Sequence, residues 1–183
     1  MREVRLHGRG GQGAVTSAEL IAVAAIEAGK YAQAFPSFGP ERRGAPVQAF
    51  VRVSEAPIRT REKIYFPDVV VVLDPSLPTI VKVTAGLKED GVVILNSHKS
   101  EKELREMLGG WSGRMAVVDA TKIALEELGL PITNTTMLGA FLVVTGLVDQ
   151  PHLEEALERR FGRLAEKNKK AMARAMKETK IYQ

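Results

Sequence analysis

The sequence contains no cysteine among its 183 residues. Disulfide frameworks, catalytic thiols and iron–sulfur clusters held by cysteines of this chain are therefore excluded. The three histidines, His7, His98 and His152, show no HxH or HExxH pattern, so we expect no metal site. The opening residues lack the apolar core of a signal peptide, and the longest mostly apolar run, residues 137–148, is shorter than the roughly 20 residues of a membrane span. We therefore expect a cytoplasmic protein without a membrane partner.

An excess of positive charge is confined to the end of the chain. Residues 151–183 contain 9 Lys and Arg against 5 Asp and Glu, whereas residues 1–150 contain 17 of each sign. We expect one domain over residues 1–183, with residues 151–183 as a helical, basic C-terminal segment. Residues 166–180 have helical spacing that fits a solvated amphipathic helix, a helix packed on another subunit, or a nucleic-acid contact. The nucleic-acid contact is the weakest of these three interpretations because no aromatic side chains accompany the basic ones, so we expect no nucleic-acid partner.

Strand and helix patterns alternate along the chain. Apolar or alternating segments predict strands at residues 3–7, 31–35, 47–53, 69–73, 92–95 and 115–118. Helices are predicted at residues 14–28, 134–144, 153–160 and 165–179, with Asn134 as a helix cap, and after Pro75, Asn96 and Asp119. This alternation predicts an α/β fold, a Rossmann-like three-layer sandwich with a mostly parallel sheet and a helical C-terminal end. Ligands of such sheets bind at the carboxyl ends of the strands.

The first candidate site is a glycine-rich turn between the first strand and the first helix, called here the glycine turn. Its residues are Gly8, Arg9, Gly10, Gly11, Gln12 and Gly13, which include a GxGxxG spacing. Glycines allow a tight turn and a close approach to phosphate, and a helix N-terminus adds partial positive charge. An NAD site also needs an acidic residue near the end of the second strand, where this sequence reads YAQAF. The turn therefore predicts either anion binding or close packing of strand, turn and helix.

The second candidate site is the segment FPSFGPERRGAP at residues 35–46. Its three prolines and two glycines shape the segment, and it also contains two phenylalanines together with Arg42 and Arg43. Long ordered loops in compact domains are disproportionately functional, so we interpret it as a ligand-contact or docking loop. The alternative is an ordinary loop in which Arg42 or Arg43 pairs with Glu41.

Four long segments carry a family resemblance. They are HGRGGQGAVTSAELIA at 7–22, YAQAFPSFGPERRGAPVQAFVR at 31–52, PDVVVVLDPSL at 67–77 and VVDATKIALEELGLPITNTTMLGAF at 117–141. On these motifs the sequence resembles the gamma subunit, or gamma domain, of 2-oxoacid:ferredoxin oxidoreductases, most closely the type that serves pyruvate and 2-ketoisovalerate enzymes. The resemblance spans nearly the whole chain.

The resemblance implies an enzyme complex in which this chain is not active alone. Family members oxidatively decarboxylate a 2-oxoacid, here expected to be pyruvate, transfer the acyl group to coenzyme A and reduce ferredoxin. Alpha, beta and delta-type subunits would be the partners, and they would hold thiamine diphosphate, magnesium and the iron–sulfur clusters. This chain would form part of a shared cleft, with the glycine turn, Arg42 and Arg43 facing it and coenzyme A as their ligand. No catalytic residue is expected in this chain.

Two other function classes remain open from the sequence. A stand-alone NAD(P)-binding Rossmann protein would explain the glycine turn, although it leaves the missing ribose acid and the loop at residues 35–46 without a purpose. A non-enzymatic anion-binding module would need only the glycine turn and the basic C-terminal segment.

Overall fold

A seven-stranded mixed sheet forms the centre of the fold. The structure, a computed structural model, describes residues 1–37 and 44–183. The strands are β1 (Arg2–Arg9), β2 (Tyr31–Pro36), β3 (Pro46–Ser54), β4 (Val69–Val72), β5 (Val92–Asn96), β6 (Arg114–Val118) and β7 (Lys180–Tyr182). Their order across the sheet is β2-β3-β1-β4-β5-β6-β7. All six predicted strands are confirmed, and β7 is an additional one.

The prediction of a mostly parallel sheet was wrong. Strands β1, β4, β5 and β6 pair in parallel, whereas β3 pairs antiparallel with both β1 and β2, and β7 pairs antiparallel with β6. The connection from Pro36 to Pro46 is shorter than the dozen or more residues that a parallel crossover needs. The short loop therefore forces β3 to run back beside β2, and β3 in turn separates β2 from β1.

Six α-helices in the described residues surround the sheet. They are α1 (Ala14–Glu27), α2 (Glu101–Met107), α3 (Ala120–Leu128), α4 (Asn134–Thr145), α5 (Gln150–Phe161) and α6 (Ala165–Glu178). Asp119 caps α3 through the backbone N–H of Lys122, as the sequence predicts. Gly129, with φ of +74°, ends the same helix in the left-handed conformation that glycine adopts without steric cost.

Apolar side chains cover both faces of the sheet. Val4 and Leu6 of β1 point to the face on which α1, α3, α4, α5 and α6 pack. Val70 and Val72 of β4 point to the opposite face, where Leu104 of α2 and residues of the segment 77–87 cover them. This period-two alternation explains the uninterrupted valine run of β4, since a strand buried on both faces needs apolar residues throughout.

The helical segment predicted after Pro75 is short, a 3-10 turn over Leu77–Thr79. The prediction that Asn134 is a helix cap was wrong. Asn134 does not cap α4, because Thr133 occupies the N-cap position without a side-chain hydrogen bond and Asn134 is the first helical residue. Asn134 instead packs against the glycine turn, as described below.

The C-terminal segment packs on its own chain. Ala171, Met172 and Ala175 of α6 are fully buried and belong to the same apolar cluster as α4. A Cβ atom on Gly139 of α4 would lie 2.1 Å from the carbonyl oxygen of Met172, so the two helices cross at close range. The apolar stripe of α6 is therefore used inside the chain. Among residues 1–37 and 44–183, each helix is too short or too polar to cross a lipid bilayer.

Candidate functional site

The glycine turn lies at the carboxyl end of β1, at the point where the chain changes direction across the sheet. From β1 the chain passes through α1 to β2 on one side, whereas β4 pairs with β1 on the other side. Such a switch point is where α/β sheets commonly bind ligands. The strand order therefore puts the first predicted site where a ligand crevice is expected.

Glycines shape this turn for two different reasons. Gly11 and Gly13 have φ angles of +95° and +81°, which side-chain-bearing residues rarely adopt. At Gly13 a Cβ atom would also lie 2.5 Å from Nδ2 of Asn134, whereas at Gly11 it would meet nothing within 4 Å. A Cβ on Gly8 would come within 3.3 Å of the Ala14 side chain. The predicted close packing of strand, turn and helix is therefore present.

Asp74 holds the polar side chains of the glycine turn. Its Oδ2 accepts a hydrogen bond of 2.6 Å from Nε2 of Gln12 and lies 3.4 Å from Nε of Arg9. Its Oδ1 accepts hydrogen bonds from the backbone N–H and the hydroxyl of Ser76, at 2.9 and 2.5 Å. Arg9 completes the cluster by donating from Nη2 to the Ser76 hydroxyl at 2.8 Å.

This arrangement favours the ionised form of Asp74. Partial burial by itself raises the pKa of the carboxyl group. The hydrogen bonds from Ser76 and Gln12 and the charge of Arg9 outweigh burial and lower the pKa below its ordinary value. The site is therefore anchored by a carboxylate that stays charged at neutral pH.

The glycine turn also holds the base of the loop between β2 and β3. The N–H of Gly10 donates to the carbonyl of Ala45 at 2.9 Å, and the N–H of Gly44 donates to the carbonyl of Gly10 at 3.2 Å. Arg9 donates from Nη1 to the carbonyl of Gly44 at 3.0 Å. The two sequence-predicted sites are thus joined at this point. Arg42 and Arg43 themselves lie outside the described residues.

A cleft of about 380 Å³, called here the α1 cleft, opens beside the first turn of α1. Its lining consists of four residues of the glycine turn and several others, among them Arg9, Gly10, Gly11, Gly13, Val15, Thr16, Ser37 and Gln48. Gly13 occupies the N-cap position and offers no side-chain acceptor, and the first helical hydrogen bond runs from the N–H of Ser17 to the Gly13 carbonyl. The N–H groups of the first helical turn before Ser17 therefore have no partner within the helix, which favours an anionic ligand there.

Among the described residues, the end of β2 lacks the acidic residue that an NAD site needs. Strand β2 ends in Phe35 and Pro36, and Phe35 stacks on Phe50 with ring centroids 5.3 Å apart. An acidic residue at this place would hold the ribose hydroxyls of NAD. The described structure thus weakens the NAD(P) alternative and leaves phosphate binding at the helix terminus as the simpler chemistry.

Two polar residues near strand ends, Asn96 and His7, have structural contacts. Asn96 donates to the carbonyl of Leu73 at 2.8 Å and to Thr121 Oγ1 at 2.9 Å, which ties β5 to β4 and α3. His7 is buried and accepts a hydrogen bond of 3.0 Å from Arg5, and burial followed by the charge of Arg5 lowers its pKa to about 3. His7 is therefore neutral at physiological pH. Within residues 1–37 and 44–183, no three His, Asp or Glu side chains group closely enough to hold a metal ion.

Asp74-Pro75 is one of the strand carboxyl ends at which the sequence predicts ligand binding, together with His7-Gly8, Phe35-Pro36, Asn96-Ser97 and Asp119-Ala120. The sequence does not predict that the Asp74 side chain contacts the glycine turn. The contact between Asp74 and the glycine turn spans 62 residues. It arises because β4 pairs directly with β1, which the local sequence pattern does not specify.

Comparison with known proteins identifies a family. Residues 3–178 match the family model for pyruvate ferredoxin/flavodoxin oxidoreductase. The chain is 58% identical over 184 aligned positions to the common gamma subunit of the pyruvate/ketoisovalerate oxidoreductases of Thermococcus kodakarensis, with 100% of both chains covered. It is 52% identical over 179 positions to pyruvate synthase subunit PorC of Methanothermobacter thermautotrophicus, which covers 97% of this chain and 96% of the relative.

Solved structures agree with this match. The pyruvate oxidoreductase subunit PORC of Thermotoga maritima superposes with a TM-score of 0.89 at 42% identity, covering 100% of this chain and 98% of that one. The 2-oxoglutarate:ferredoxin oxidoreductase of Magnetococcus marinus, solved with 2-oxoglutarate, coenzyme A and succinyl-CoA bound, gives a TM-score of 0.77 at 21% identity. That match covers 96% of this chain and 30% of the longer one, and it shows a shared fold.

Proposed function

This chain belongs to the pyruvate ferredoxin/flavodoxin oxidoreductase family as a gamma-type subunit, and we propose that it works in a complex that oxidises pyruvate. In the proposed reaction, pyruvate, coenzyme A and two oxidised ferredoxins give acetyl-CoA, carbon dioxide, two reduced ferredoxins and a proton. The resemblance noted in the sequence is confirmed at the level of the family and the subunit. Pyruvate as the particular 2-oxoacid and ferredoxin as the acceptor are parts of the proposal.

The proposal assigns the redox and decarboxylation chemistry to partner subunits of alpha, beta and delta type. The chain has no cysteine and cannot supply thiolate ligands to a cluster. It also has no GDG sequence to begin a thiamine diphosphate and magnesium motif, since Glu89-Asp90-Gly91 is the nearest approach. Thiamine diphosphate, magnesium and the iron–sulfur clusters would therefore be held by the partners. We also propose that the α/β fold is of the Rossmann-like type.

Within the complex, the glycine turn and the α1 cleft would contribute to binding coenzyme A. The observation that supports this role is the first turn of α1, whose N–H groups have no acceptor within the helix and border the α1 cleft at the switch point of the sheet. Coenzyme A carries a diphosphate, the kind of group that helix N-termini bind. Gly8, Gly10, Gly11 and Gly13 would allow its close approach.

Arg9 and Gln12 would position other residues of the site, since their own side chains already form contacts within the chain. Gln12 donates to Asp74 at 2.6 Å, and Arg9 contacts Asp74, Ser76 and Gly44. They would fix the base of the loop whose sequence contains Arg42 and Arg43. In the proposal, Arg42 and Arg43 are the residues that contact phosphate, because arginine forms charge-assisted, bidentate hydrogen bonds with it.

The double variant Arg42→Ala with Arg43→Ala tests this ligand role. Loss of two charge-assisted contacts should weaken coenzyme A binding to the assembled complex by roughly tenfold or more, measured by titration calorimetry. The matched control is Lys82→Ala with Lys102→Ala, which removes the same charge from two exposed positions. Unchanged affinity in the arginine variant would remove coenzyme A from the role, and loss of assembly would identify a docking loop instead.

A further inference from the structure

Strand β2 forms one edge of the sheet. Within residues 1–37 and 44–183 it pairs with β3 alone. The strand at the opposite edge, β7, has three residues and begins with the charged Lys180. Short edge strands and lysines hinder the addition of a further strand, whereas β2 has six residues, YAQAFP, and carries no charge. The β2 edge therefore lacks the protection that β7 has.

The outer side of β2 presents backbone groups that β3 does not use. The N–H of Ser37 donates to the carbonyl of Gln48 at 2.9 Å. Because alternate residues of an antiparallel strand bond to the neighbouring strand, Ala32, Ala34 and Pro36 face outward. Proline has no N–H, so an outward position costs the sheet no hydrogen bond. The outer side thus offers N–H groups at residues 32 and 34 and carbonyl groups at residues 32, 34 and 36.

A cleft of about 690 Å³, called here the edge cleft, borders the same strand. Its lining includes five consecutive residues, 33–37, together with Phe50, Arg61 and Lys63. Side chains of successive strand residues point to opposite faces of a sheet, so a space that is lined by consecutive residues reaches the backbone of β2. The edge cleft can therefore receive side chains of a strand that pairs with β2.

Two cations give the edge cleft its charge. Arg61 and Lys63 line it, both are exposed, and neither has a carboxylate within 4 Å among residues 1–37 and 44–183. Glu62 lies between them in the sequence, but it is not part of the lining. The cleft therefore presents positive charge that carboxylates of another molecule would complement.

From these observations we propose that an extended, acidic segment of a partner subunit adds to the β2 edge as a further strand. The inference rests on the proposed function, which gives this chain its partner subunits. Backbone hydrogen bonds to the outer side of β2 hold the segment, as in other complexes in which a peptide extends a sheet. Aspartate or glutamate side chains of the segment contact Arg61 and Lys63 and make the contact specific.

A second copy of this chain fits the β2 edge less well than an acidic partner. Two β2 strands in antiparallel pairing would place the Arg61 and Lys63 side chains of both copies on the same face of the joined sheet. Like charges that meet across an interface cost free energy. Strand β2 itself has no carboxylate that could offset this repulsion. The occupant is therefore a chain of different sequence.

The first test uses the complex, co-expressed with its partner subunits and purified through a tag on this chain. In the variant Arg61→Glu plus Lys63→Glu two attractive contacts become repulsive, so the partner recovered per tagged chain should fall roughly tenfold or more. Arg61→Lys plus Lys63→Arg keeps both charges and should retain the partner. The control, Lys167→Glu plus Lys170→Glu, reverses equal charge at exposed positions of α6 and should retain it as well.

The variant Ala34→Pro tests the backbone contacts in the same complex. Proline removes an N–H that points away from β3, so the pairing of β2 with β3 keeps its hydrogen bonds while the added strand loses one. Recovered partner should fall roughly three- to tenfold, and the circular dichroism of the eluted chain should match the wild type. A photo-crosslinking residue in place of the exposed Tyr31 should attach to an Asp- or Glu-containing segment of a partner subunit.

Three results overturn the added strand. The first is a charge-reversal variant, Arg61→Glu plus Lys63→Glu, that retains its partner. The second is release by charge reversal but not by Ala34→Pro, which would leave a side-chain contact without strand addition. The third is a crosslink from position 31 to a second copy of this chain. A wild-type chain that co-elutes with no partner would instead overturn the proposed function, so the two failures are distinguishable.

Discussion

Asp74 connects the two parts of the site that the sequence presents separately. Its carboxylate contacts Gln12 and Arg9 of the glycine turn, and Arg9 reaches on to Gly44 at the base of the β2–β3 loop. The sequence predicts the glycine turn because its spacing is local. It does not predict the Asp74 contact, because that contact depends on which strand lies beside β1.

The substitution Asp74→Asn should lower the free energy of unfolding at pH 7 by about 1–2 kcal/mol, because charged hydrogen bonds are lost. The pKa of Asp74 is lowered in the folded protein, so its contribution is full above the ordinary value near 3.8 and is lost as the pH falls through the folded-state value. Guanidinium-induced unfolding of the wild type and the variant at pH 7 and pH 2 measures the loss of stability and its dependence on pH. Asp90→Asn, at an exposed position, is the control. If the free energies of unfolding of Asp74→Asn and the wild type differed equally at pH 7 and pH 2, the ionised carboxylate would not be the source of the stabilisation.

Gly13→Ala should destabilise the protein more than Gly11→Ala. Both residues have a positive φ, so both substitutions introduce backbone strain of about 1 kcal/mol. Only at Gly13 does the added methyl group also meet Asn134, at 2.5 Å. Thermal unfolding of the two variants isolates this contact, and equal losses of stability would show that Asn134 moves away without cost.

At the scale of elements, the sequence predicts which helices and strands exist better than it predicts where they begin and end. Six strands and the main helices follow from apolar periodicity, which the sheet and its two apolar faces impose. The three-residue strand β7 has no such period and exists because it pairs with β6. Asn134 has the side chain of a helix cap, yet its place against Gly13 keeps it inside α4. Tertiary packing decided both cases.

Gly139→Ala should cost about 2 kcal/mol or more, although alanine normally stabilises a helix interior by about 1 kcal/mol relative to glycine. The reason is the close crossing of α4 and α6, where a Cβ atom would lie 2.1 Å from the Met172 carbonyl oxygen. Thermal unfolding measures the loss, with Val143→Ala on the exposed side of α4 as the control. A Gly139→Ala protein as stable as the wild type would show that the two helices can separate freely.

At the scale of the molecule, part of the basic charge of the C-terminal segment is balanced within the chain. Arg174 contacts Glu126 and Glu127 at the end of α3, at 2.6 and 3.1 Å, and Glu178 at 2.7 Å. Lys169 pairs with Glu158 and Glu166. These pairs join α6 to α3 and α5. The net charge of +4 therefore does not by itself indicate a nucleic-acid surface.

If this chain is the gamma subunit of a pyruvate-oxidising complex, native co-purification will recover it together with its partners. The chain, tagged and expressed with candidate partners, should co-elute with a thiamine-binding subunit and a cysteine-rich iron–sulfur subunit. The eluted complex should reduce ferredoxin only when pyruvate and coenzyme A are both present. A chain that purifies alone, binds NAD(P) tightly and catalyses its reduction would contradict the account.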